Sequence, residues 1–584
     1  MKNKIIFLLL ICISSINSQQ KFHINLNDRA DDLFKVTLYP DELSEENNIY
    51  HFAATAPGMY QIIDAGRFVR SFKAFNETGT EIKTEQKSTN QWSLSDPQKI
   101  YKIEYTIAES WDTPVTENFI YRMGGTSMEA DHVVINGPLV FGYFEGKQAD
   151  PIYVKLDYPS DWEVGTALTK NDKNYYEAES YDHIVDSPFM LGELSTASVI
   201  IDDSEIDIYT YSVTGVVKSD NILESARDIF HALDEFVDGI PVERYVLLFH
   251  FEDQSVGAWE HSYSSFYVYQ ETPLVGEVET SIRDVIAHEI FHVITPLNIH
   301  SEIIEQFNFV NPVLSKHLWF YEGVTEWASH IMQLRSQLVP LDQHLNTLRL
   351  KLLIDDGLDK SISLVDLALK SFELQTQFQI VYQRGSVAME LLDLKILELS
   401  KGKRGLREVI NELSEDYGPD ESFDEENFFN EFVDRTYPEI KEFLNNFIAG
   451  TKPLPVKEYF DYIGINYYES QGYDSSKVSL GMGFGMEGER IVITKVPENS
   501  NAKPGDIMLK VNGEELTLAT AQQIFTQLSQ MKVSDKIIFN VERDGSETEY
   551  ELQLKPLELR HIFETNPSAT PEQLALREAW MKNL

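Results

Sequence analysis

Residues Ala287–His300 read AHEIFHVITPLNIH, and the first six decide what the rest of the chain must supply. His288 and His292 stand four apart, with Glu289 directly after the first. On an α-helix, residues four apart share a face, so two imidazoles can turn toward one ion. Glu289, one position round, can bring a carboxylate to a water activated there. That is the physical content of the His-Glu-x-x-His pattern: two ligands and a general base. A core helix can also carry two mutually satisfied histidines at this spacing, so the pattern needs support from elsewhere.

A catalytic zinc takes three protein ligands and keeps one position open. One arrangement places a third histidine six residues after His292, following a glycine. Asn298 and Thr295 hold those positions here, and His300 is misplaced for the role and reads as structural. The other arrangement takes a glutamate from a later helix. Leu318–Met332 reads LWFYEGVTEWASHIM, with Glu322 and Glu326 one turn apart among Trp319, Phe320, Tyr321 and Trp327. Carboxylates on so apolar a helix are costly unless paired, hydrogen-bonded or bound to metal. Glu322 is therefore expected as third ligand of one Zn2+ per chain. Glu326 is expected behind it, bonding a ligand histidine.

Composition sets where such a site works. The chain has 584 residues, a formal net charge of −45 and 42% hydrophobic residues. That length suits about three to four domains with real cores. The acidity repels phosphates and excludes nucleic acid as a partner. Residues 1–20, MKNKIIFLLLICISSINSQQ, have Lys2 and Lys4 before an apolar run and then small and polar residues. This reads as a secretory signal peptide, too short for a typical membrane span. Export to a periplasmic or extracellular compartment is expected. The single cysteine, Cys12, lies inside that run, which leaves no thiol for disulfides, catalysis or metal. No later stretch is long and apolar enough to span a membrane.

The texture changes along the chain. Residues 21–205 show short alternating segments such as FKVTLYP and YKIEYTIA, expected as an all-β, antiparallel sandwich-like domain. Residues 206–465 begin with an amphipathic helix, SDNILESARDIFHALDEFV, with Ser219 or Asp220 as its cap, and the strand RYVLLFHFE, then turn largely helical. This is expected as an α+β catalytic domain with a mainly helical second half. Strands return over 466–557, and 558–584 read as a tail with a helix. There Thr570 caps, Pro571 opens the first turn and Gln573 stands in capping-box position.

Three separated motifs resemble the glycyl aminopeptidase family of PDZ-containing zinc peptidases, relatives of the thermolysin-like gluzincins. HEIFH with WFYEGVTEW resembles the family's zinc site. The resemblance implies His288, His292 and Glu322 as ligands and Glu289 as base. VGAWEHSYS, Val256–Ser264, resembles the substrate-binding strand. That implies Gly257 and Ala258 beside the substrate backbone and Glu260 on its free amino end. VYQRGSVAMELLDL, Val381–Leu394, resembles a Tyr-x-Lys-Gly helix whose tyrosine meets the oxyanion, which implies that role for Tyr382; Arg384 replaces the commoner lysine. Trp259 is bulkier than the family residue and is expected to narrow the space for the first side chain. PGMYQIIDAGRFVRSFKAF resembles the family's first domain.

The segment SLGMGFG, Ser479–Gly485, with the strands after it and a helix near 518–531, resembles a PDZ domain. Its loop could take a peptide C-terminus, and its edge strand a peptide by β-addition. The catalytic part is expected to fold without it, in a chain ending near Tyr468. The whole reads as a secreted zinc aminopeptidase removing small residues, glycine or alanine, from peptides with a free N-terminus. The alternatives are a zinc endopeptidase, or an exported peptide-binding scaffold with a vestigial zinc site.

Overall fold

The computed structural model describes residues 19–253, 257–419, 421–487, 490–497 and 500–583. The expected signal peptide, apart from its last two residues, and Cys12 lie outside these, as does Val256.

The N-terminal part is β-rich. An eight-stranded sheet faces two four-stranded sheets across one apolar core. Alternation drives the layering: Phe22 and Ile24, Phe34, Val36 and Leu38, and Ile103, Tyr105 and Ile107 point inward from neighbouring strands. One pairing departs from the antiparallel expectation. Gln20–Asn25 runs antiparallel to Leu33–Tyr39 but parallel to Ile152–Asp157. A parallel neighbour needs a long crossover, and the intervening sheets supply it.

The catalytic part opens with a five-stranded sheet. Its order is Ser195–Ile201, Ser204–Ser212, Arg244–Glu252, Ser264–Gln270, Gly257–His261. The middle three strands are parallel, and the helix Ser219–Phe236 makes the crossover between the first two of them. Arg244–Glu252 is buried on both faces, which is why it reads as an unbroken apolar run. Lys218, not Ser219 or Asp220, is the N-cap of that helix. The Asn221 Oδ1 accepts from the Lys218 backbone N–H at 3.0 Å. Gly257–His261 is an edge strand, so its outer side is available to a ligand. The helices Glu277–Phe291, Leu318–Arg335 and Ser386–Ser400 pack below in the same core.

A two-stranded ribbon, Ile465–Ser479 with Lys555–Thr565, leads from this body to the C-terminal module and back. The module has a six-stranded sheet, the helix Leu518–Ser529 and a core of its own around Ile493, Phe539 and Val541. The chain then returns. The helix Pro571–Lys582 starts with the expected box, Thr570 Oγ1 accepting from Gln573 N–H and Gln573 Oε1 from Thr570 N–H. It is no tail. Trp580 is 0% exposed inside the catalytic core, and its Nε1–H donates to Glu390 at 2.6 Å. The buried Arg335 donates to its carbonyl at 2.9 Å. A chain ending near Tyr468 would lose all of this, so independent folding of that piece is not what the packing supports.

Candidate active site

The helix Glu277–Phe291 buries Ile282, Ile286, Ile290 and Phe291, which leaves His288 and Glu289 on the turn facing a large cavity. His292 follows at the C-cap, one turn from His288. His292 Nδ1 lies 2.9 Å from the Thr295 carbonyl, and His288 Nδ1 lies 2.7 Å from Glu326 Oε2. A carbonyl and a carboxylate only accept, so both Nδ1 atoms carry a proton; in the neutral rings both Nε2 atoms present lone pairs, although against the pull of burial Glu322 and Glu326 raise the His288 pKa well above its usual range. Those two Nε2 atoms face each other at 3.2 Å. Glu322 Oε2 stands 3.4 and 3.7 Å from them, buried and with no hydrogen-bond donor.

Three lone pairs converging in a dry pocket repel one another unless a cation sits among them. Ligand atoms around a tetrahedral zinc stand about 3.4 Å apart, the spacing found here. His288, His292 and Glu322 therefore fit a divalent metal, and they form a ligand cluster by distance alone. Burial lowers the His292 pKa to about 4, so the ring stays neutral, as a ligand must. Burial works against charge on Glu326, but Lys351, His288 and His330 outweigh it and hold that carboxyl well below its usual range. It thus remains the acceptor that fixes the His288 ring.

The other sequence-derived residues line the same cavity, which measures about 1140 Å3 and includes Gly257, Ala258, Glu260, Glu289 and Tyr382. Burial, and then the charges of Glu322 and Glu326 against the opposing pull of His288, push the Glu289 carboxyl up to about 7. A bound cation would draw it down again. Tyr382 sits on a π-helical turn, Val381–Gly385, its ring 5.7 Å from that of His288. Burial and the carboxylates of Glu322 and Glu260 hold its hydroxyl protonated, hence a donor. That turn lies against Gly323, one residue past Glu322, where a Cβ on Gly323 would meet the Gly385 backbone at 3.4 Å, an ordinary packing contact. Arg384 points away and bonds Asp355 and the carbonyls of Ile362 and Asp359.

Glu260 is 8% exposed, and its Oε1 has no donor. One ligand atom each of Glu260, Glu289 and His292 lies within 4.8 Å of the others. Burial, and then Glu322 and Glu289, raise its carboxyl well above the usual range. It is a carboxylate in need of a cation.

Trp259 does not narrow this space. It is 3% exposed, is not among the residues lining the cavity and belongs to the N-terminal core, its Nε1 lying against Gly58 beside Glu260 Oε1. His300 is buried away from the cavity walls.

The wall that sequence reading missed comes from the N-terminal domain: Gly58, Met59, Tyr60, Gln61, Tyr121 and Met123. The Tyr60 hydroxyl faces the carboxylates of Glu322 and Glu260, and its ring packs 5.2 Å from that of Phe378. Gly58 has φ 75°, and a Cβ there would fall 2.4 Å from Glu260 Oε1. The only sequence signal was the PGMYQ stretch, which carries no mark of the distant site.

Residues 21–193 match the Peptidase M61 N-terminal domain, and residues 281–364 match the M61 glycyl aminopeptidase family. The second segment contains the converging histidines and glutamates, and the chain is a metallo-aminopeptidase. Segments similar to the Peptidase M61 N-terminal domain and to M61 glycyl aminopeptidase thus follow one another in this chain. No curated protein matches it. Among solved structures, an aminopeptidase N family protein from Idiomarina loihiensis shares the fold at TM-score 0.76 and 18% identity, covering 96% of this chain and 100% of that one. A two-domain M1 zinc metallopeptidase bound to tryptophan gives TM-score 0.47 and 12% identity over 75% of this chain and 95% of that one. Leukotriene A4 hydrolase of Saccharomyces cerevisiae gives 0.46 and 15% over 76% and 70%. Glu260 and Tyr382 lie outside both family segments, so their roles rest on geometry.

Proposed function

We propose that this protein is an exported zinc aminopeptidase that removes small residues, glycine or alanine, from the free N-terminus of peptides. The observation that carries the exopeptidase reading is the unpartnered, buried Glu260 oxygen beside the metal cluster. An endopeptidase presents an uncharged amide there and would strand that carboxylate. An aminopeptidase substrate brings an ammonium, which pairs with it and sets the distance of the first peptide bond from the cluster.

His288, His292 and Glu322 would hold the zinc. When bound, it polarises a carbonyl and acidifies a water. Glu289 takes the water's proton and passes it to the leaving amine. The Tyr382 hydroxyl donates to the oxygen on which negative charge develops. Glu326 and the Thr295 carbonyl hold the two imidazoles in the ligating tautomer. The preference for a small first residue follows from the family likeness. Tyr60, beside Glu322 and Glu260, and Met123, 3.9 Å from where a Gly257 Cβ would stand, are the side chains to which we assign it.

Export rests on the composition of the first twenty residues. The C-terminal module is read as a PDZ domain from its glycine-containing strand and single helix, with one peptide as its ligand. Among the described residues no helix is long and apolar enough to cross a membrane. The test is zinc content together with cleavage of free and N-acetylated glycyl, alanyl, leucyl and phenylalanyl peptides. Cleavage confined to free glycyl and alanyl peptides is expected. Efficient internal cleavage of acetylated peptides would replace the assignment with an endopeptidase.

A further inference from the structure

The catalytic domain does not close its own cavity. Met486 and Leu518, both from the C-terminal module, stand in the same wall as Gln379 and Tyr382. Met486 belongs to the edge strand Gly483–Glu487, and Leu518 opens the helix Leu518–Ser529. The strand pairs with Arg490–Lys495 on one side, and among the described residues no strand pairs with the other. The helix approaches it through Phe525, whose ring is 5.7 Å from that of Phe484. Met482, Phe484, Met486, Leu518 and Phe525 are all only half-buried. Half-buried apolar side chains thus flank the free edge of the strand, a candidate groove of which Met486 and Leu518 line the active-site cavity.

Direction selects the occupant. A chain added antiparallel to this edge, the pairing used throughout the sheet, places its C-terminal end beside Gly483 and its N-terminal end beside Met486. Its amino end then points into the cavity that holds Glu260. A recruitment module needs no fixed seat, yet this one has one. A Cβ at Gly483 would fall 2.6 Å from Gly357, and one at Gly485 would fall 2.4 Å from the Thr376 carbonyl oxygen. Thr494 Oγ1 also donates to the Gly357 carbonyl at 2.7 Å.

We infer that the groove holds the downstream part of the substrate itself. The enzyme grips one peptide twice, its ammonium at Glu260 and the residues beyond the scissile bond between Gly483–Glu487 and the helix Leu518–Ser529. This rests on the aminopeptidase reading and adds a preference for peptides long enough to reach the groove.

The test compares glycine p-nitroanilide with a length series of alanine-extended glycyl peptides on the full chain. kcat/KM should rise with length by roughly tenfold or more and then level off, as apolar side chains enter the groove. Met486→Asp should lower kcat/KM for the long peptides at least about tenfold more than for the anilide, and Met486→Leu should restore the difference. A flat length series, or equal loss on both substrates, overturns the inference while leaving the aminopeptidase standing. Failure to cleave either substrate fails the enzyme reading instead. The groove is then judged by calorimetry of a long glycyl peptide on Glu289→Gln. There, adding Met486→Asp must weaken binding about tenfold, and unchanged binding overturns the groove.

Discussion

Glu260→Gln separates binding of the amino end from every structural role of that side chain. The substitution keeps shape and one acceptor oxygen but removes the charge. In the free protein this carboxylate shares a dry site with Glu289 and Glu322, and burial and both neighbours disfavour its ionised form. Glutamine relieves that repulsion, so the fold should not suffer, and Tm should stay level or rise. The substrate complex moves the other way. A charge-assisted bond to the ammonium is worth about 1.5–3 kcal/mol, or roughly 10- to 150-fold in kcat/KM. The loss should appear with alanine p-nitroanilide and vanish with propionyl p-nitroanilide, the same acyl group without its amine. Equal loss on both substrates, or a fall in Tm, would refute the pairing and leave Glu260 a structural carboxylate.

Glu289→Gln should retain the metal, measured by atomic absorption, and lose roughly 10²-fold or more in turnover, because the general base is gone; near-normal rates would remove it from the mechanism. Tyr382→Phe deletes one donor and little volume, so kcat should fall about 10²–10³-fold with KM nearly unchanged; a pure KM effect would place the hydroxyl on the ground state. Removing everything after Tyr468 should cost at least the roughly 3–5 kcal/mol of an emptied tryptophan site and lower soluble yield and Tm. Excising residues 480–554 with a short turn, which spares the ribbon and Trp580, should fold; a truncated chain as stable as the full one would contradict the packing.

The cluster proposed to hold the metal was legible because its information is local. Two histidines and a base share one helical turn, and the two glutamates share another in a setting too apolar to be chance. The layering of the N-terminal sheets was legible for the same reason, since inward alternation is a property of each strand alone. Pairing is not local, so the parallel contact between Gln20–Asn25 and Ile152–Asp157 left no trace in either segment. Tyr60 is the sharper case: it reaches the side of Glu322 from a turn far away in the chain, and no pattern around it marks the destination.

Two misreadings were avoidable. Side chains alternate across a strand, so with Glu260 turned into the cavity the Trp259 ring packs behind its wall, Nε1 against Gly58. The structure puts that indole in the N-terminal core. The proposed small-residue preference is then assigned across the cleft, where the N-terminal domain supplies Tyr60 and Met123 to the cavity lining. The closing helix held a similar clue. Its periodic pattern carries a tryptophan, a residue whose area and N–H both demand burial against a partner. Trp580 finds Glu390 on the helix that begins at Ser386, directly after the π-turn of Tyr382. The end of the chain therefore buttresses the segment that carries Tyr382. The C-terminal module is thereby anchored twice, by its own seat on Gly357 and Thr376 and by a strand returning to that helix. Such double anchoring suits a wall of the substrate site better than a tethered adaptor.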